Sequence, residues 1–139
     1  MVVVNYWAVA AAAVAMVVVG AAWYGPLFSK LLAELQGVRG PARIAPADGS
    51  LQNYAVFAVG AFLLAYVLRL SIGYAEMALG TDGANAGLMV AIFLWLGFVA
   101  PILAGSVLWE GKSWSLWFFN AAYFLFAIVI ASLVLSLWT

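Results

Sequence analysis

The sequence predicts an all-α membrane protein, a four-transmembrane-helix bundle with a short interfacial amphipathic helix after the first span. Two observations carry that prediction. Of the 139 residues, 69% are apolar and only 7% are charged, against the roughly 25% with which a soluble domain keeps its surface wetted. The charges are also unevenly placed. All but Arg69 fall in short polar intervals between long apolar runs. An ionised group in hydrocarbon is costly, so the charges mark where such a chain meets water. Backbone polar groups in lipid must bond within their own segment, which makes the apolar runs helices. The alternation of polar and apolar residues that a membrane barrel requires is missing. Residues 1–139 therefore read as a single transmembrane domain.

The first span covers about residues 2–24. No basic residue precedes it, and it exceeds the ~7–15-residue apolar stretch of a signal peptide, so it reads as a retained helix. Ala8, Ala11, Ala12 and Ala15 give it a small face that a neighbouring helix can approach closely. An inner loop, 25–53, follows. Pro26 suits the first turn of a new helix. Within the stretch 27–36, Phe28, Leu31, Leu32 and Leu35 recur at helical spacing opposite Ser29, Lys30, Glu34 and Gln36, which predicts an amphipathic segment lying in the membrane interface. Residues 37–49 read as irregular loop, with Asp48 or Ser50 as the cap of the second span.

Spans two, three and four cover about 54–74, 86–109 and 114–138. Each is close to the ~20 residues needed to cross ~30 Å of hydrocarbon. Asp82 is a candidate cap for an earlier start to the third span. An even number of spans places both termini on one side. Lys30, Arg39, Arg43 and Lys112 all lie on the other side, while the loop holding Glu76 and Asp82 has no Lys or Arg outside the span. The positive-inside rule then puts the basic loops in the cytoplasm and both termini outside. The aromatic residues match these depths. Trp23, Tyr24, Trp109 and Trp114 fall at the inner interface, and Tyr6, Trp7, Tyr74 and Trp138 at the outer one, where their rings favour the headgroup level. Trp95 lies mid-span, where a packing role is expected.

The composition excludes several functional classes. There are no cysteines and no histidines, which removes disulfides, thiolate catalysis and imidazole metal sites, so no metal or cofactor is expected. A net charge of zero leaves no nucleic-acid footprint. The only Gly-rich stretch, 80–87, lacks the strand context of a phosphate-binding loop.

The candidate sites are few. Arg69 lies only ~7 Å from the outer end of the second span. It is expected to snorkel to the outer headgroups or to reach Glu76 or Asp82, with a lipid phosphate or anionic solute as the functional reading. Asn120 is the other strongly polar side chain inside a span. Pairing Trp109 with Trp114 across a short link places it near Ser106 and Gly105, so a hydrogen bond to that turn is expected, with Tyr123 close by. Pro101 removes a bond to the Gly97 carbonyl. Gly97, Pro101 and Gly105 share one stripe, read as a packed kink. Lys30, Arg39, Arg43 and Lys112 are candidate contacts for anionic lipid headgroups, or plain topogenic charge.

Three motifs in order support a family assignment: Trp23-Tyr24-Gly25-Pro26-Leu27-Phe28-Ser29-Lys30, Leu94-Trp95-Leu96-Gly97-Phe98-Val99-Ala100-Pro101, and Asn120-Ala121-Ala122-Tyr123. Together they resemble the DUF1761 family of small bacterial membrane proteins of unknown function, along nearly the whole chain. The resemblance implies four spans and a bacterial cytoplasmic (inner) membrane. Many members carry a histidine after the tyrosine of the fourth helix. This chain has Phe124 there, which weakens any catalytic or metal-binding inference by analogy. The expectation is a non-catalytic integral membrane protein, either a homo-oligomer or an accessory subunit beside other membrane protein subunits, with membrane lipids as its surroundings. The alternative is a small transporter or binding protein for a small or lipophilic molecule.

Overall fold

The computed structural model describes residues 1–36 and 51–138, apart from the side chains of Asn53 and Tyr54. Among the described residues, four helices are long and apolar enough to cross a membrane: Tyr6–Leu27, Ala55–Leu79, Gly83–Leu108 and Trp114–Leu137. In chain order the elements are α1 (Tyr6–Ala22), a distorted turn (Trp23–Leu27), α2 (Ser29–Gln36), α3 (Leu51–Leu79), α4 (Gly83–Leu94), a wide turn (Trp95–Val99), α5 (Ala100–Leu108) and α6 (Trp114–Leu137). Together α4, the wide turn and α5 make the third span. The expected 37–49 loop, Arg39, Arg43 and the expected Asp48 or Ser50 cap lie outside the described residues.

Two helix ends differ from the sequence reading, and a third takes the earlier start offered by Asp82. The first helix begins at Tyr6 rather than Val2, because the Asn5 side chain accepts hydrogen bonds from the Trp7 and Ala8 amides at 3.1 and 3.4 Å. That bonding satisfies two of the donors a helix start leaves open. Residues 1–5 are therefore not helical and cross α3 instead, with Val2 against Gly73 and the Val3 carbonyl at Arg69. The second helix runs on to Leu79, past the expected 74, which keeps Arg69 and Glu76 on one continuous helix. The third begins at Gly83, with Asp82 extended at the cap position.

α1 and α6 form the centre of the bundle. Within their most apolar windows 39% and 44% of residues are buried, against 28% for each of the other two spans. Small residues let the axes approach: Ala8 and Ala12 on α1, Ala65 on α3, Ala86 and Ala91 on α4, and Ala127 and Ala131 on α6 are all fully enclosed. Lipid tails compete equally for apolar side chains, so close van der Waals contact, rather than hydrophobic burial, holds such helices together. Gly87 marks the tightest approach of α4 to α6. A Cβ there would stand 3.0 Å from the Ser132 carbonyl oxygen.

Pro101 shapes the third span. It offers no N–H to the preceding turn, and the helix widens over Trp95–Val99, where the Ala100 amide bonds back to the Trp95 carbonyl. A π-turn of this kind absorbs the missing donor without breaking the span. Among the described residues the Gly97, Pro101 and Gly105 stripe packs against no other helix, contrary to expectation. Gly97 and Pro101 are exposed, a Cβ on Gly97 would meet nothing within 4 Å, and one on Gly105 would meet only Trp109 of its own helix. The widened turn carries this stripe away from α6.

The link between α5 and α6 also differs from a simple hairpin. Gly111 takes φ +70°, a conformation that costs glycine little. The chain folds back so that the Lys112 amide bonds to the Ser106 carbonyl at 3.1 Å. The fourth helix therefore starts near the level of Ser106, not Trp109. At the same end the first span kinks at Gly25 (φ −109°, ψ −114°) before Pro26. The eight-residue α2 then sets Leu32 and Ala33 against Leu116 and Phe119 of α6.

Candidate functional site

The end of the bundle that carries both termini holds a cavity of about 950 Å³, lined by polar groups from three helices and the N-terminal segment. Arg69 of α3 is its central charge. The residue is 6% exposed. Its Nε donates to the Val3 carbonyl at 3.4 Å, and its Nη1 stands 3.5 Å from Glu76 Oε2 without a hydrogen bond of its own. Residues 69 and 76 lie two turns apart on one face of α3. Helical side chains lean toward the N-terminus, so Glu76 bends back to meet the guanidinium. The pairing offsets the cost of enclosing the charge, since an isolated buried ion would be strongly destabilising.

Other groups complete the rim. Asp82, Thr81, Gly80 and Gly83 come from the α3–α4 turn, Ser136 and Trp138 from the end of α6, and Asn5 from the start of α1. The turn depends on two glycines with positive φ, Gly80 at +62° and Gly83 at +57°. Asp82 makes no side-chain capping bond to α4. The first amides of that helix and the Asp82 carboxylate therefore both remain available at the cavity rim. Among the described residues one guanidinium and two carboxylates line the cavity, and Glu76 is the carboxylate paired with Arg69.

Arg69 makes the reach to Glu76 expected from the sequence, and not the alternative reach to the headgroups. It lies beneath the N-terminal segment rather than reaching free headgroups. The cause is the Asn5 cap, which starts α1 late and leaves residues 1–5 to cover α3. Asn5, Thr81 and Ser136 were not singled out from sequence. The signal for Ser136 is its spacing with Ser132, one helical turn apart on the face toward Gly87.

The second polar group lies toward the opposite end. Asn120 does not reach Ser106. Its Oδ1 accepts from the Tyr24 hydroxyl at 2.8 Å, whereas Ser106 Oγ donates to the Leu103 carbonyl of its own helix at 2.8 Å. The folded-back link shifts the register of α6 and carries Asn120 toward α1. Tyr123 is buried, packs edge-on to Tyr24 with ring centroids 5.0 Å apart, and its hydroxyl lies 2.9 Å from where a Gly20 Cβ would stand. Two indoles tie the third span to α6. Trp95 Nε1 donates to the Ala121 carbonyl at 2.8 Å, and Trp117 Nε1 to the Ala100 carbonyl at 3.1 Å. Lys30 is exposed on α2, and Lys112 pairs at 3.5 Å with Glu110.

Fold and site together define a small multi-pass membrane protein with an ion-paired polar cavity at one end of its bundle. The chain belongs to the family described as protein of unknown function DUF1761, whose model matches residues 7–136. No curated protein and no solved structure matches it.

Proposed function

We propose that this is a non-catalytic protein of the bacterial inner membrane that works by association, as a homo-oligomer or as an accessory subunit of a larger membrane complex. The observation that carries this reading is the bare Gly97–Pro101–Gly105 stripe. Small residues at this spacing favour close helix approach in lipid, yet among the described residues no other helix fills the stripe. Beside it, Phe98 and Val99 join Leu64, Val67 and Leu94 in lining an apolar cleft of about 430 Å³ between α3 and the third span. The non-catalytic part is supported by how four interior polar side chains are used. Tyr24, Asn120, Trp95 and Trp117 bond to one another or to backbone carbonyls. The orientation, with both termini outside, rests on the basic residues at the α2 end of the bundle.

Native mass spectrometry after purification in mild detergent tests the proposal. The expected result is a complex with a second copy or another membrane protein, dissociated by Gly97→Leu while the monomer stays folded. A wild-type chain that is monomeric and partnerless overturns it. The chain has no native cysteine, so Trp138→Cys and Glu110→Cys, made singly, report the orientation by labelling from each side.

A second reading, a binding protein for a small molecule, is favoured by the cavity around Arg69. Its volume falls within the roughly 300–1,000 Å³ typical of ligand sites.

A further inference from the structure

We infer that the cavity at the termini end binds a phosphoethanolamine-type zwitterion, a phosphodiester joined through a short linker to a primary ammonium. The inference deepens the small-molecule reading and rests on it. The first observation is the state of Arg69. This guanidinium is more than nine-tenths buried and lines the cavity, and its Nη1 stands 3.5 Å from Glu76 Oε2 but makes no hydrogen bond. A guanidinium presents paired donors that match phosphate oxygens, and the uncapped first turn of α4 at Gly83 adds backbone donors from a second direction. These groups receive the phosphodiester.

The second observation concerns charge. Among the described residues Glu76 and Asp82 line the same cavity as one cation, Arg69, so a lone anion would bring a third negative charge against one positive. A ligand carrying its own ammonium avoids that excess. A primary ammonium offers three N–H donors to the two carboxylates, and a quaternary one offers none. The third observation is depth. Trp138 lines the cavity, and Tyr6, Trp7 and Tyr74 stand exposed at the same end, where aromatic rings mark the headgroup level. The same chemistry is found in the headgroup of an ethanolamine phospholipid and in free glycerophosphoethanolamine.

The test uses the full chain in phosphatidylcholine nanodiscs, titrated calorimetrically with glycerophosphoethanolamine, glycerophosphocholine, inorganic phosphate and ethanolamine. Glycerophosphoethanolamine is expected to bind at least tenfold more tightly than the other three. Asp82→Asn, an exposed position whose change leaves the bundle intact, is expected to weaken it at least tenfold. Glu76→Gln serves as the second variant, read against its own circular dichroism. Native mass spectrometry from mixed ethanolamine and choline lipids then separates the sources. Retention of ethanolamine lipid by wild type and its loss in Asp82→Asn assigns the headgroup, while calorimetric binding without lipid retention assigns the soluble compound. If phosphate alone binds as tightly, or Asp82→Asn changes nothing, the zwitterion is refuted and the binding-protein reading stands. If no probe binds and no lipid is retained, both fall.

Discussion

Gly87→Ala is expected to destabilise the bundle, and Gly97→Ala is not. At position 87 the added Cβ would stand 2.8 Å from Ser136 Oγ, 3.2 Å from Ser136 Cβ and 3.0 Å from the Ser132 carbonyl oxygen, where ordinary contact begins near 3.4 Å. Ser136 can rotate away, giving up its bond to the Leu133 carbonyl at 3.3 Å. The Ser132 carbonyl belongs to the backbone of α6 and yields only if the two helices part. Overpacking of this kind costs about 1–3 kcal/mol. Alanine recovers about 0.8–1.0 kcal/mol over glycine in a helix interior. The net expectation is a loss on the order of 1 kcal/mol, within about 0–2 kcal/mol. At position 97 the same methyl meets nothing within 4 Å, leaving only the propensity gain. Because that gain enters both variants, the difference between them isolates the packing cost. The assay is reversible unfolding in mixed micelles, followed by circular dichroism at a detergent ratio where the chain is monomeric. Equal midpoints for the two variants, or a Gly87→Ala variant more stable than wild type, would refute the close approach of α4 and α6.

Two further outcomes are expected. In a double-mutant cycle of Tyr24→Phe and Asn120→Leu, unfolding free energies should show a favourable coupling of about 0.6 kcal/mol, at most ~1.7, and a coupling of zero contradicts the 2.8 Å bond. Glu76→Gln should destabilise far more than Glu110→Gln, because it leaves Arg69 enclosed without its counter-charge. The loss stays below the ~3–5 kcal/mol of a fully buried pair, since a quarter of the Glu76 side chain remains exposed. Glu110 pairs with Lys112 in the open, and its loss should lie within ~0.5 kcal/mol. Urea or SDS titration of both variants decides between them.

The features legible in the sequence are those governed by solvent. A chain with few charges and long apolar runs has to place those runs in lipid as helices, whatever its neighbours are. Four spans, a kink near Pro101 and an early start of the third span after Asp82 follow from local rules, whereas the Ser113 cap, whose Oγ accepts from the Leu116 amide at 3.2 Å, was not among the expected caps. The family motifs were readable for the same reason, since they are contiguous strings.

Pairing was not legible, because it depends on how one helix is displaced along another. The partner of Asn120 turned on Gly111, whose positive φ folds the α5–α6 link back and moves the whole register of α6. Nothing in the local pattern distinguishes that fold from a simple hairpin. Likewise the burial of Arg69 turned on Asn5, a single cap that frees residues 1–5 to lie across α3 at Gly73. The sequence alone determined that this is a four-span helical membrane protein with its charges at the ends, because hydrocarbon excludes ions irrespective of packing. Only the tertiary structure decided which polar groups meet. A hydrogen bond or ion pair requires atoms within a few ångströms, and such distances are set by the register and approach of helices far apart in the chain.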